Sequence, residues 1–141
     1  MGTYMTGPLE TGTGLDSHGV DTGRVILSQT FLINRVAAQL VNSTSIILPA
    51  NAQIVDFFVD VLTAYDSATS ATLTIGTAAA GTQYVTSVNA KTGGRNAVTH
   101  TAAQATAMSN IGTNTAVFGT VTSVGQPTVG QVRVTVLYVQ N

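Results

Sequence analysis

The feature that most constrains the fold is a ten-residue stretch in which the side chains alternate in character, Gln53–Leu62 (QIVDFFVDVL). Successive side chains of an extended strand point to opposite sides, so a period of two divides the stretch into two faces. One face would carry Val55, Phe57, Val59 and Val61, and the other Ile54, Asp56, Phe58, Asp60 and Leu62. We therefore predict a strand with one buried face and one partly polar face.

Similar short segments recur along the chain, separated by Gly-, Pro- and Asn-containing turns. They are Val25–Asn34, Ser45–Leu48, Ala71–Ile75, Gln83–Val88, Thr115–Val124 and Gly130–Gln140. The last two are predicted to form a hairpin, and His100–Met108 either a helical turn or an extended connection. About seven or eight short strands without helical alternation predict an all-β fold, an antiparallel β-sandwich of jelly-roll type. Residues 24–141 would form this single domain.

Composition supports the β assignment and limits the possible functions. The chain has 24 threonines and 18 valines, and branching at Cβ suits both to a pleated sheet. Charged residues make up 8% of the chain, against about 25% in an average domain. A net charge of -1 argues against a nucleic-acid partner, and the absence of cysteine excludes disulfides and thiolate metal sites. A surface so poor in charge favours burial in a protein assembly.

The first 23 residues differ in character from the rest. They contain six glycines and no Lys or Arg, and they lack the apolar run of a signal peptide. We predict an extended arm over residues 1–23 that orders on a neighbouring subunit, with Tyr4 and Leu15 as candidate interface residues. No stretch approaches the roughly 20 apolar residues of a membrane-spanning helix, so no membrane partner is expected.

Candidate catalytic and metal-binding residues are few and widely separated. Asp16-Ser17-His18 contains the residue types of a hydrolase triad, but adjacent residues do not normally build that arrangement. His100 has no carboxylate near it in sequence. Asp56 and Asp60 would lie about 13 Å apart along one strand face, too far to share a proton or a cation. We therefore predict no enzyme activity, no cofactor and no metal.

Phe58 is the most informative exposed candidate, because it lies between Asp56 and Asp60 on the polar face. It is either a buried aromatic in a strand covered on both sides or an anchor against another subunit. Leu137 and Val139 carry the same two interpretations. All three are candidate protein-interface residues.

The stretch from Ile47 to Arg95 resembles small virion proteins of tailed bacteriophages and gene-transfer-agent particles. The matching motifs are Leu48–Ala52 (LPANA), Ile54–Val61 (IVDFFVDV), Thr63–Asp66 (TAYD), Ser70–Thr77 (SATLTIGT) and Gly94-Arg95. The resemblance implies a β-rich capsid-associated protein, such as a decoration protein or the base of a head spike or fibre. It supplies no catalytic residues.

These observations lead to one main hypothesis and two alternatives. The main one is a virion structural protein, assembled in the host cytoplasm, that binds the major capsid protein or other virion proteins at the capsid surface as a homo-oligomer, with a trimer favoured. The first alternative is a tail-associated virion protein, such as a tail-tube, completion or fibre-attachment protein. The second is a carbohydrate-binding β-sandwich module, although the chain has no Trp and four Tyr.

Overall fold

Eight strands and one short helix make up residues 23–140, the part of the chain that the computed structural model describes. Every strand pair is antiparallel. The elements are β1 (Leu27–Asn34), β2 (Val41–Leu48), β3 (Ala52–Thr63), β4 (Ser70–Gly76), β5 (Val85–Asn89), β6 (Gly94–Asn96), α1 (Ala102–Ser109), β7 (Thr115–Val124) and β8 (Gln131–Gln140). The predicted all-β fold is confirmed, and the Ala-rich stretch forms the helix rather than an extended connection.

The strands form two four-stranded sheets with the order of a jelly roll. The first sheet runs β1-β8-β3-β6 and the second runs β2-β7-β4-β5. Pairing is therefore nested, because β1 pairs with β8, β2 with β7, β3 with β6 and β4 with β5. Such an arrangement is a long antiparallel ribbon rolled into a sandwich. The predicted jelly-roll-type β-sandwich is confirmed.

The predicted hairpin of the last two strands is wrong, because β7 and β8 lie in opposite sheets. Their connection is held by Asp66, whose carboxylate accepts hydrogen bonds from the backbone N–H groups of Thr128 and Val129 and from the Thr128 hydroxyl. These bonds lower the pKa of Asp66 to about 2, the Thr128 hydroxyl contributing most. The loop thus crosses between the sheets instead of reversing within one.

The core lies between the sheets and follows the predicted alternation in most strands. In β8, Val132, Val134 and Val136 are fully buried, as are Phe57 and Val59 of β3. The prediction is wrong at Val55, which is 44% exposed, while Ile54 is buried. A register shift between Ile54 and Asp56 explains this, because one extra residue in β3 reverses the sense of the side chains before it.

Helix α1 connects the sheets and begins at a capping box. The Thr101 hydroxyl accepts from the backbone N–H of Gln104, and the Gln104 side chain accepts from the backbone N–H of Thr101. The amide nitrogen of Gln104 also donates to the Thr82 carbonyl and the Thr86 hydroxyl. These bonds hold the start of the helix beside β5. An apolar side chain could not form them, which accounts for a buried glutamine at this position.

Candidate protein interface

The outer face of the first sheet holds all four charged residues that lie in described strands. In the strand register, Asp60 lies opposite both Arg133 and Arg95. Phe58, two residues before Asp60 in β3, lies opposite Thr135. We use the term outer face of the first sheet for Leu32, Asp56, Phe58, Asp60, Arg95, Arg133, Thr135 and Leu137.

Asp60 is the centre of an ion-pair network on this face. The Arg95 Nε and Nη2 atoms donate to the two carboxylate oxygens at 2.7 and 3.1 Å, and Arg133 Nη2 donates to Oδ2 at 3.0 Å. The hydrogen bond from Arg95 is the main cause that lowers the pKa of Asp60 to about 2, against the opposing effect of burial. The carboxylate is 10% exposed, whereas the side chains of Arg95 and Arg133 are 59% and 43% exposed. The network therefore presents two fixed guanidinium groups to solvent.

Phe58 lies directly beneath one of these guanidinium groups. The Arg95 Cζ atom is 4.6 Å from the centre of the Phe58 ring, a distance typical of a cation–π contact. The ring is partly buried and partly exposed. Phe58 supports Arg95 from below and leaves part of its own surface exposed to solvent.

Leu137 and Val139 lie on the same face in the rows beyond Phe58. Leu137 pairs with Asp56 and Val139 with Gln53 across the β3–β8 ladder. Leu137 is partly buried, whereas Val139 is 8% exposed and offers little surface. The structure thus places Phe58, Leu137 and Val139 along one face of the β3–β8 pair, and Tyr4 and Leu15 lie outside the described residues. Their predicted role in an interface stays a prediction.

Asp56 and Asp60 have separate partners, as their predicted separation requires. The Asp56 carboxylate accepts from the backbone N–H of Phe57 and lies 3.4 Å from His100 Nε2, while His100 Nδ1 lies 2.9 Å from the Tyr84 carbonyl oxygen. His100 has no carboxylate near it in sequence, but the fold supplies one from 44 residues away. This pair fastens the segment before α1 to β3.

A surface groove and the grouping of possible metal ligands are the two other features that bear on a ligand site. A groove of about 340 Å³ is lined by Asn34, Arg35, Thr63 and residues 128–131, none of which carries a carboxylate. Within residues 23–140, no three His, Cys, Asp or Glu side chains are grouped as a metal site would need. The Asp16-Ser17-His18 segment lies outside the described residues. None of the helices in the described part is long and apolar enough to cross a membrane.

Sequence reasoning identified Phe58 but missed the residues that organise the face around it. The sequence singles out Arg95 only as part of the Gly94-Arg95 motif, and no motif includes Arg133. One signal was available, because Asp60 and Arg133 are rare charges on the predicted polar faces of two strands. Opposite charges at such positions favour pairing of those strands.

Comparison with known proteins gives a similarity of fold. No protein-family model matches the chain, and no curated protein matches it in sequence. A chain of the solved structure described as "Cyanophage Pam1 capsid asymmetric unit" has a similar structure, with a TM-score of 0.56 and 16% sequence identity. The alignment covers 97% of this chain and 100% of that chain. The two chains therefore share their fold over nearly their whole lengths.

Proposed function

We propose that this chain is a non-enzymatic structural protein of a phage-like virion. It binds the capsid surface as a decoration or stabilising protein, or forms the base of a head fibre. Its partner is the major capsid protein or another virion protein, and it acts as a homo-oligomer, with a trimer favoured.

The observation that carries this proposal is the full-length similarity of fold to a chain of a cyanophage capsid asymmetric unit. Jelly rolls are a recurrent architecture of viral capsid proteins, so the eight-strand order is consistent with the same setting. Because one fold serves many functions, the proposal also needs a surface suited to assembly.

The outer face of the first sheet is such a surface. Protein interfaces are enriched in aromatic residues and arginine at the positions that contribute most to binding. Here Phe58, Arg95 and Arg133 lie together, with Leu32 and Leu137 beside them. Because Asp60 holds both guanidinium groups in place, less side-chain entropy is lost when they bind carbonyl or carboxylate groups of a capsid protein.

The non-enzymatic role is supported by how the titratable groups are used. Asp60 is paired with two arginines, Asp66 caps a loop, and His100 bridges Asp56 and the Tyr84 carbonyl. Each group has a structural role that accounts for its position. General acid–base catalysis needs a group placed against substrate in a pocket, and these groups serve the fold.

The two alternatives differ in how well the structure accommodates them. A tail-associated protein would use the same fold and the same face, so only its position in the particle distinguishes it. A carbohydrate-binding module needs exposed aromatic platforms, but the three tyrosines of the described chain, Tyr65, Tyr84 and Tyr138, are all buried. The described residues therefore favour a virion role over glycan binding.

Mass spectrometry of purified particles, combined with an averaged cryo-EM map, tests the proposal. We expect the chain in intact particles at a copy number related to the capsid lattice, with density on the outer shell. Its absence from purified particles would contradict the proposal. Density on the tail would instead support the first alternative.

A pair of matched variants tests the face itself. Phe58→Ala removes the aromatic ring from the outer face of the first sheet, and Phe118→Ala removes a partly buried ring from the second sheet. In competition with the unchanged chain for particles, we expect Phe58→Ala to lower occupancy about tenfold, as the loss of a hot-spot aromatic does. Circular dichroism establishes that both variants are folded. Equal occupancy for both would exclude Phe58 from the interface.

A further inference from the structure

One side of the sandwich is bordered by two long strands whose outer edges are unpaired within the described chain. β1 ends the first sheet and β2 ends the second, and the two strands contact each other. Each has eight residues, a regular register and no charged residue. Long, regular, neutral edges accept further strands unless something covers them.

The opposite side of the sandwich is protected in the ways natural proteins use. Its edge strands are β6, with three residues, and β5, with five residues and a register irregularity against β4. Arg95 lies in β6, and Lys91 lies between the two strands. Short, irregular and charged edges resist strand addition. The contrast singles out the β1/β2 edge as the one suited to receive another segment.

Exposed apolar side chains are concentrated at the same edge. Of the eleven exposed large apolar residues among residues 23–140, seven lie between positions 25 and 47. They are Val25, Ile26, Leu32, Val36, Leu40, Val41 and Ile47, and Ile47 is 67% exposed. Clustering of this kind marks a surface that another polypeptide covers.

The charges of residues 23–48 indicate which polypeptide covers the β1/β2 edge. Residues 23–48 contain Arg24 and Arg35 and no acidic residue. Antiparallel pairing of two β1 edges would bring Arg24 of one copy towards Arg35 of the other, which is unfavourable. Residues 1–22 contain Glu10, Asp16 and Asp21 and no Lys or Arg, and they join the described chain at Gly23, just before β1.

We propose that residues 1–22 dock along the β1/β2 edge as an added strand, held by its exposed apolar side chains and its two arginines. Extended, 22 residues span about 70 Å, whereas an eight-residue strand is about 27 Å long. The segment can therefore reach the edge of its own subunit or of a second copy. The proposal does not rest on the virion role, because it concerns the purified protein alone.

A disulfide trap in the full chain tests the docking. The natural sequence has no cysteine, so each introduced pair reports only itself. Thr6→Cys combined with Ser28→Cys on β1 should form a disulfide under mild oxidation, at least about tenfold faster than the control Thr6→Cys with Ser87→Cys on the opposite edge. A bond within one chain shows docking on its own subunit, and a bond between chains shows exchange. Both outcomes support the proposal.

Amide hydrogen exchange gives a second readout that needs no cysteine. In the unchanged protein, the β1 amides that do not pair with β8 should be protected. Neutralising the segment with Glu10→Gln, Asp16→Asn and Asp21→Asn should speed their exchange about tenfold, and the β5 amides of the same molecule should be unaffected. Equal trapping by both cysteine pairs, or β1 edge amides that exchange at the unprotected rate in the unchanged protein, would overturn the proposal. A disulfide between two chains carrying Ser28→Cys alone would indicate edge-to-edge pairing and would also overturn it.

Discussion

The two outer faces of the sandwich are built from similar strands and differ sharply in chemistry. The first sheet carries Asp56, Asp60, Arg95 and Arg133 around Phe58, whereas the four strands of the second sheet contain no charged residue. There, hydroxyl groups take the central position, with the Ser43 and Thr120 oxygens 2.9 Å apart. A few charges placed on β3, β6 and β8 are thus enough to make one face distinctive.

The second face is also partly covered by its own chain. The backbone N–H of Ala80 donates to the Thr120 hydroxyl, and Gln83 accepts from the backbone N–H of Thr77. Gly76 makes this covering possible, since a Cβ there would lie 2.1 Å from the Gln83 side-chain oxygen. Within residues 23–140, no such turn covers the first face at Arg95 and Arg133, whose side chains stay exposed. The described part of the chain therefore covers the second face more than the first.

The largest effect is expected from removing the Asp60 carboxylate at the centre of the ion-pair network on the first face. Asp60→Ala leaves Arg95 and Arg133 without their shared acceptor, and we expect a loss of about 2 to 3 kcal/mol in the free energy of unfolding. The counterpart on the second face is Thr120→Val, which removes a buried hydroxyl and should cost about 1 kcal/mol. Urea denaturation at pH 7 measures both. An equal or larger loss for Thr120→Val would show that the two faces contribute alike.

Lowering the pH should reduce the stability contributed by the first face, because the strands of the second sheet contain no group that titrates in acid. The pKa of Asp60 is lowered to about 2 in the folded protein from its ordinary value of 3.8, so its stabilising effect is complete only above about pH 5. As the pH falls from about 5 towards 2, protons bind first to the unfolded and then to the folded carboxylate, and that contribution is lost, about 1 to 2 kcal/mol given the exposed arginines.

Asp66 titrates in the same range, because its pKa is also lowered to about 2. The Asp60 contribution is therefore measured as the difference between Asp60→Asn and the unchanged protein, with Asp66→Asn as a separate control. Thermal unfolding followed from pH 6 to pH 2 gives the required curves. An Asp60→Asn protein that loses stability with acid as steeply as the unchanged one would contradict the assignment.

The smallest expected effect comes from the aromatic ring alone. Phe58→Leu keeps most of the apolar area but removes the ring face beneath Arg95, and Phe118→Leu makes the same change on the second sheet. We expect Phe58→Leu to cost about 0.5 to 1 kcal/mol more than Phe118→Leu, the value of a partly exposed cation–π contact. Chemical denaturation resolves this difference, and 0.5 M salt should reduce it. Equal losses would mean that Arg95 gains nothing from the ring.

Local patterns in the sequence were sufficient to predict the fold class and much of the core. Alternation in Gln53–Leu62 correctly predicted Phe57, Val59 and Val61 as buried, because side-chain direction in a strand depends only on local geometry. It failed at Val55, because a bulge depends on how two strands register with each other. The hairpin predicted for β7 and β8 is wrong for a similar reason. Contacts from Asp66 and Tyr65 to the connecting loop direct the chain across the sandwich.

The organisation of the candidate interface could not be predicted for a related reason. Asp60 obtains its partners from 35 and 73 residues away, and Asp56 obtains His100 from 44 residues away. Only the nested order of the sheets brings these positions together. The sequence nevertheless directed attention to this strand face, because Phe58 between two aspartates is an unusual neighbour on a polar surface.

The nested pairing of strands has a consequence for how the chain acquires its structure. β8 lies between β1 and β3, so the first sheet cannot close until the strand synthesised after the other seven is available. Contacts between positions as far apart as Leu27 and Tyr138 have a high contact order and close slowly. During synthesis the chain therefore holds β1 and β3 without their common neighbour, with apolar edges exposed to other nascent chains. Assembly into a larger particle would have to wait for this last strand.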